Sequence, residues 1–166
     1  MTNKLNITTP SDLEIVMTRT FDAPRSLVWE AMSRPELIKQ WLFSPPGWSM
    51  TVCEEDVRVG GAFRWEWSGA EGPGMSMHGV YREVVAPERL VRTEVFDFGC
   101  GIPEGVSPEQ VCTLVLQEEN GKTHLTLTAV YPSKEARDGA LASGMEEGVK
   151  AGYNQLDELL SARVAS

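Results

Sequence analysis

The chain has 166 residues, 42% of them hydrophobic and 23% charged, with a formal net charge of -9 and a pI near 4.7. That length fits one domain with a core of its own. The acidic balance weighs against nucleic acid or an anionic membrane as partner, since either needs clustered Lys and Arg, and no apolar run approaches the ~20 residues of a membrane span.

The start, MTNKLNITTPSDL, lacks the apolar stretch of a signal peptide, so a cytoplasmic protein is expected. Residues 1–12 are polar and read as a loose tail, leaving residues 13–162 as a single domain. Leu13 to Phe21 alternates apolar and polar residues and reads as a first strand. Pro24 suits the start of a helix, where a missing N–H costs little. Two short helices follow, Ser26–Ser33 and Pro35–Phe43, separated at Arg34-Pro35 and placed as a plug at one end of a sheet.

Ser49–Val57 reads as the second strand. Ala62–Ser68 is the clearest one, with Phe63, Trp65 and Trp67 on one side and Arg64, Glu66 and Ser68 on the other. Gly69–Gly74 reads as a hairpin loop. Met75–Val85 returns, with Met75, Met77, Gly79 and Tyr81 opposite Ser76, His78, Val80 and Arg82. Arg89–Phe98 is the next strand and Gly99–Glu109 a loop. Val111–Glu118 and Thr123–Tyr131 form a last hairpin, with Asn120-Gly121 as its turn. Pro132–Ser161 is the one segment long enough for a dominant helix, N-capped by Ser133, with Leu141, Met145, Val149, Leu156 and Leu160 along an apolar stripe and Tyr153 beside it. Gly144, Gly148 and Gly152 recur within it and predict close packing against a neighbour. The class is therefore α+β, with hairpin-linked antiparallel strands and a long helix across them.

A sheet curved around one helix leaves room for a pocket, and such pockets are apolar with a few polar groups. The expected ligand-binding walls are Trp41 and Phe43 from the plug, Phe63, Trp65 and Trp67, then Met75, Met77 and Tyr81, and finally Met145, Val149 and Tyr153 from the helix. The alternative is that the same residues simply fill a core. Trp48, after Pro45-Pro46-Gly47, is either a lid or a loop anchor. Among polar groups, His78 is expected outside, opposite Met77, and His124 exposed. Glu94 and Asp97 have opposite parities, so at most one faces inward; Tyr131 and Tyr153 are candidate hydrogen-bond donors. Three cysteines, Cys53, Cys100 and Cys112, with no CxxC pair, and only two histidines predict neither a disulfide framework nor a metal site. No nucleophile elbow, HExxH, phosphate loop or dinucleotide fingerprint is present, so no catalytic residues, metal or cofactor are predicted.

Four pieces carry a resemblance: Phe21-Asp22-Ala23-Pro24 followed by Val28-Trp29-Glu30-Ala31; Arg34-Pro35-Glu36-Leu37 with Trp41; Asp56-Val57-Arg58-Val59-Gly60-Gly61-Ala62-Phe63-Arg64-Trp65; and Gly79-Val80-Tyr81-Arg82-Glu83-Val84 with Pro87-Glu88-Arg89-Leu90-Val91. Over roughly residues 13–162 the chain resembles the helix-grip fold of the START and pollen-allergen (Bet v) superfamily. Within it, the chain is similar to bacterial homologues of the C-terminal domain of the activator of heat-shock-protein-ninety ATPase. The resemblance implies a curved antiparallel sheet of six to seven strands, two short helices after strand 1 and a long C-terminal helix packed across the sheet. It implies a small hydrophobic molecule as ligand, with a chaperone or other protein partner as the rival reading; a cyclase-, hydrolase- or isomerase-type enzyme is a third, for which Glu94 is the candidate inward carboxylate, and pairing of an edge strand leaves a homodimer open. Where many relatives carry Trp and Gly-Trp, this chain has Glu94 and Gly144-Met145, so no particular ligand carries over.

Overall fold

The computed structural model describes residues 3–42, 44, 47–69, 74–97 and 109–165. In chain order the elements are β1 (Asn6–Thr8), β2 (Glu14–Phe21), α1 (Arg25–Ser33), α2 (Pro35–Trp41), β3 (Trp48–Glu55), β4 (Ala62–Gly69), β5 (Met75–Val85), β6 (Arg89–Asp97), β7 (Glu109–Glu119), β8 (Lys122–Val130), α3 (Lys134–Ala142) and α4 (Met145–Ala165). Among the described residues the strands form one eight-stranded sheet in the order β1-β2-β8-β7-β6-β5-β4-β3. Every neighbouring pair is antiparallel.

The strand count exceeds the six to seven expected because Asn6–Thr8, assigned from the sequence to the tail, pairs with Val16–Thr18 of β2. Three residues carry too little alternation to be seen in sequence; backbone hydrogen bonds to a preformed edge decide their state. The predicted Asn120-Gly121 turn is present, both residues having positive φ (54° and 75°) between the paired Glu119 and Lys122. Pro35 holds Arg34 extended (φ -99°, ψ 123°), which ends α1 and lets α2 start afresh.

The C-terminal segment differs from one continuous helix. Ser133 caps α3 as expected, its Oγ accepting from Ala136 N at 3.1 Å. The helix then stops at Ser143-Gly144, where Gly144 takes φ +86°, a left-handed value that closes helices. α4 restarts at Met145 and runs 21 residues. The break explains why Leu141, placed from the sequence on the buried stripe, is exposed: it belongs to α3, whose angular phase is no longer that of α4. No helix among the described residues is long and apolar enough to cross a membrane.

The core lies between the concave sheet face and the helices. Phe21, Val28, Ala31, Ile38, Leu116, Leu125, Leu156 and Leu160 are sealed there by α1, α2 and the second half of α4. A second, smaller cluster of Ile15, Met17, Cys112, Ala129 and Tyr131 sits under α3 and the first turns of α4.

Candidate functional site on the concave face

Strand register assigns side chains to the concave face. Phe63 pairs with Gly79, Trp65 with Met77 and Trp67 with Met75. Met77 in turn opposes Phe96 and Tyr81 opposes Arg92. Arg92 opposes Cys112 and Glu94 opposes Gln110. On β3 the alternation breaks at a bulge between Met50 and Val52, so Trp48 and Met50 before it and Cys53 and Glu55 after it all face inward.

Of the residues expected to line a pocket, Trp41, Phe63, Trp65, Trp67, Tyr81 and Tyr153 are brought into one buried cluster, with Met75, Met77 and Val149 half-buried at its margin. Met145 joins the second cluster. Phe43 lies outside the described residues, as do most of the Gly69–Gly74 and Gly99–Glu109 loop assignments. Trp41 ties the plug together, donating from Nε1 to the Ala31 carbonyl at 2.7 Å and packing 6.0 Å from the Tyr153 ring. Trp48 anchors on β4: a Cβ on Gly69 would lie 2.6 Å from its Cε2. That contact is the physical reason for glycine at position 69.

At the middle of this face lies a polar centre that the sequence reading largely missed. The Arg92 guanidinium lies 4.5 Å from the Phe63 ring centroid and 5.0 Å from that of Trp65. It reaches Glu94 Oε2 from Nε at 3.0 Å and Nη2 at 2.9 Å. Glu94 Oε1 accepts from Gln110 Nε2 and from Cys112 Sγ, each at 2.9 Å. Beside this group, Glu55 accepts from Trp65 Nε1 at 2.8 Å and from the Tyr81 hydroxyl. Burial raises the Glu55 pKa, and the Tyr81, Arg92 and Trp65 contacts oppose that rise. Burial, reinforced by Glu94, keeps the Cys112 thiol protonated far above neutrality, so it is no ready nucleophile. Burial also pushes the Tyr131 and Tyr153 phenols up. Arg19 ties β2 to α4 through Asn154 Oδ1 (3.3 Å) and Asp157 Oδ2 (3.5 Å), with Nη1 on the Thr20 carbonyl at 2.7 Å.

Sequence parity had allowed Glu94 or Asp97 inward; Glu94 is the buried one, 5% exposed. Arg92 and Cys112 share its face by strand alternation, a signal that was available. Glu55 was hidden by the bulge, which resets the alternation of β3.

Among the described residues, one buried polar atom of this face has no partner. Trp67 is 5% exposed, yet its Nε1 makes no hydrogen bond. Its ring packs edge-on to Trp65 and nearly parallel to Phe96, with centroids 6.4 Å away in both cases. Trp48, Met50, Met75, Met77 and Phe96 around it are only half-buried.

Among the described residues, the outer face carries open grooves. One of about 490 Å³ runs past Arg64, His78, Val80, Thr93 and Glu109; another of about 200 Å³ borders Glu66, Ser68, Ser76 and Asp97. His78 is thus outside, as parity predicted. His124, expected to be exposed, is instead partly covered: Thr20 Oγ1 sits 3.0 Å from Nδ1 and Glu119 Oε2 lies 3.7 Å from Nε2. Its strand is interior to the sheet, so neighbours on both sides shield it. Among the described residues, no three His, Cys, Asp or Glu side chains are arranged to hold a metal ion.

A curved sheet, a two-helix plug and a gripping helix are the features of the helix-grip fold. The family model described as Activator of Hsp90 ATPase homolog 1-like protein matches residues 22–161. The chain belongs to this family, within the START/Bet v-like superfamily. Solved structures agree. A protein from Rhodobacter sphaeroides is 33% identical, with a TM-score of 0.85 over 96% of this chain and 99% of that one. A protein from Staphylococcus epidermidis is 30% identical, with a TM-score of 0.78 over 95% and 94%. One from Nitrosomonas europaea is 28% identical, with a TM-score of 0.79 over 95% and 100%. No curated protein matches the chain. Members of this fold family commonly bind hydrophobic ligands.

Proposed function

We propose that residues 13–162, together with the edge strand Asn6–Thr8, act as one cytoplasmic domain that binds a small apolar or amphipathic molecule on the concave face. The molecule enters at the end where Trp48, Met50, Met75, Met77 and Phe96 are half-buried. The observation that carries this reading is the buried, unpartnered N–H of Trp67 within that cluster. A buried donor left unpaired costs ~1–3 kcal/mol, and such groups call for an occupant that satisfies them. Methionines give the margin of the site an adaptable surface, and the indoles give it area.

The polar centre supports binding over catalysis. Both Glu94 oxygens are occupied, by Arg92 on one side and Gln110 and Cys112 on the other. Glu55 is likewise taken by Trp65 and Tyr81. A network closed on itself holds a wall in shape, and its carboxylates are engaged by protein donors.

Native mass spectrometry of freshly purified protein, followed by denaturation and analysis of released small molecules, tests the reading. A defined apolar molecule released in stoichiometric amount is the expected result. An empty protein with no thermal shift across an apolar ligand panel would overturn it. In that case the rival reading, contact with a chaperone or other protein, moves ahead. It draws on the family description and on the uncovered outer grooves, and a pull-down yielding a stable complex would establish it.

A further inference from the structure

The concave face also carries information about the chemistry of its occupant, and this inference rests on the binding reading above. We propose that the ligand is an uncharged molecule that places a hydrogen-bond acceptor, such as a carbonyl or ether oxygen, on Nε1 of Trp67.

Two independent observations lead there. The first is the donor. An indole N–H donates and cannot accept. The residues paired with Trp67 across the sheet are Met50 and Met75, which offer at best a weak thioether acceptor. The rings against it, Trp65 and Phe96, offer no acceptor atom in their planes. A molecule seated among these residues therefore has to supply the acceptor itself. If it displaces a water that was doing so, the requirement is the same, because displacement without replacement of the hydrogen bond loses affinity.

The second observation is charge. Arg92 is paired with Glu94, and Arg19 with Asp157 and Asn154. Glu55 is held by an indole and a phenol. A ligand carboxylate or ammonium would find each of these ions already engaged. It would lose hydration on burial without gaining a counter-ion, which disfavours it strongly. An apolar body with one neutral acceptor meets both conditions.

The test is titration calorimetry with three naphthalenes of one shape: 2-acetylnaphthalene, 2-ethylnaphthalene and 2-naphthoate. The ketone is expected to bind about tenfold tighter than the hydrocarbon, the increment of one well-made hydrogen bond to an otherwise unpaired donor, and the carboxylate is expected to bind weakest. Trp67→Phe keeps a ring and removes the N–H. It should erase the ketone's advantage over the hydrocarbon, whatever the loss of indole area does to both affinities. If that variant does not fold, replacing Trp67 with benzothienylalanine keeps the indole shape and removes the same donor. Equal affinity for ketone and hydrocarbon overturns the acceptor while leaving the binding reading intact. Tightest binding of 2-naphthoate overturns the uncharged class. A ketone preference that survives loss of the N–H overturns Trp67 as the donor. If none of the three binds, the binding reading fails and this inference fails with it.

Discussion

The two ends of the concave face are built from similar residues and packed in opposite ways. At the plug end, Val28, Leu116, Leu125, Leu156 and Leu160 are all within 1% of complete burial, covered by α1, α2 and the later turns of α4. At the other end Trp48, Met50, Met75, Met77 and Phe96 are apolar too, yet half-buried. The plug end uses branched aliphatics, whose restricted rotamers suit a fixed interior. The open end uses methionines, whose flexible side chains adapt to what packs on them, and indoles, which supply rigid area. Between them, the Arg92–Glu94–Cys112 and Glu55–Tyr81–Trp65 groups form a divider in which each ion has its partner. Two regions of similar apolar content thus differ in coverage and in side-chain adaptability, and the proposed binding site is the less covered, more adaptable one.

The comparison breaks or holds on measurable differences. Leu156→Ala at the plug end should cost about 3–5 kcal/mol of stability by chemical denaturation, the range for a fully buried leucine. If Met75→Ala costs as much, the open end is core and the distinction collapses. Glu94→Gln should cost about 3 kcal/mol, because it leaves Arg92 as a buried unpaired cation. Arg92→Met in the same chain should recover part of that loss, and no recovery would mean the pair is not what links the two residues energetically.

A smaller effect is expected at the open margin. Met75→Ala and Met77→Ala should each cost about 1 kcal/mol of stability, since half-buried side chains give up less area, while weakening 2-acetylnaphthalene binding several-fold in calorimetry. Unchanged binding in both would move the guest elsewhere. The smallest effect concerns pH. Burial raises the Glu55 pKa in the folded protein above its ordinary value of 4.5. Below 4.5 the carboxyl is protonated folded or unfolded and contributes no pH dependence. Above it the unfolded chain releases the proton first, so stability falls with rising pH until the folded group ionises as well. Glu55→Gln removes that slope, and its melting temperature should gain on the wild type from pH 4.5 upward; parallel curves would remove Glu55 from the account.

The divider and the open end were unequally legible in the sequence. Trp65, Trp67, Met75 and Met77 declared their shared face through strict alternation in two long strands, and their register confirms it. Glu94 was one of two alternatives that parity left standing, and burial chose it. Glu55 could not be read, because one extra residue at the Met50/Val52 bulge inverts the faces of everything after it. Nor could the break before α4, since an isolated glycine in a helical pattern can be tolerated as well as terminate it.

By itself the sequence determined the element types, the α+β class, the antiparallel hairpins and the aromatic face. These follow from local periodicity and turn chemistry, which act over a few residues. Only the tertiary structure decided that Asn6–Thr8 becomes an edge strand and that His124 is shielded. It alone brought Glu55 to Tyr81 and Trp65, and Arg92 to Glu94 and Cys112, from distant parts of the chain, and left the Trp67 N–H near them without a partner among the described residues. Those outcomes depend on which groups meet across the sheet and on how completely the helices cover them. Such contacts arise only when the whole chain has folded.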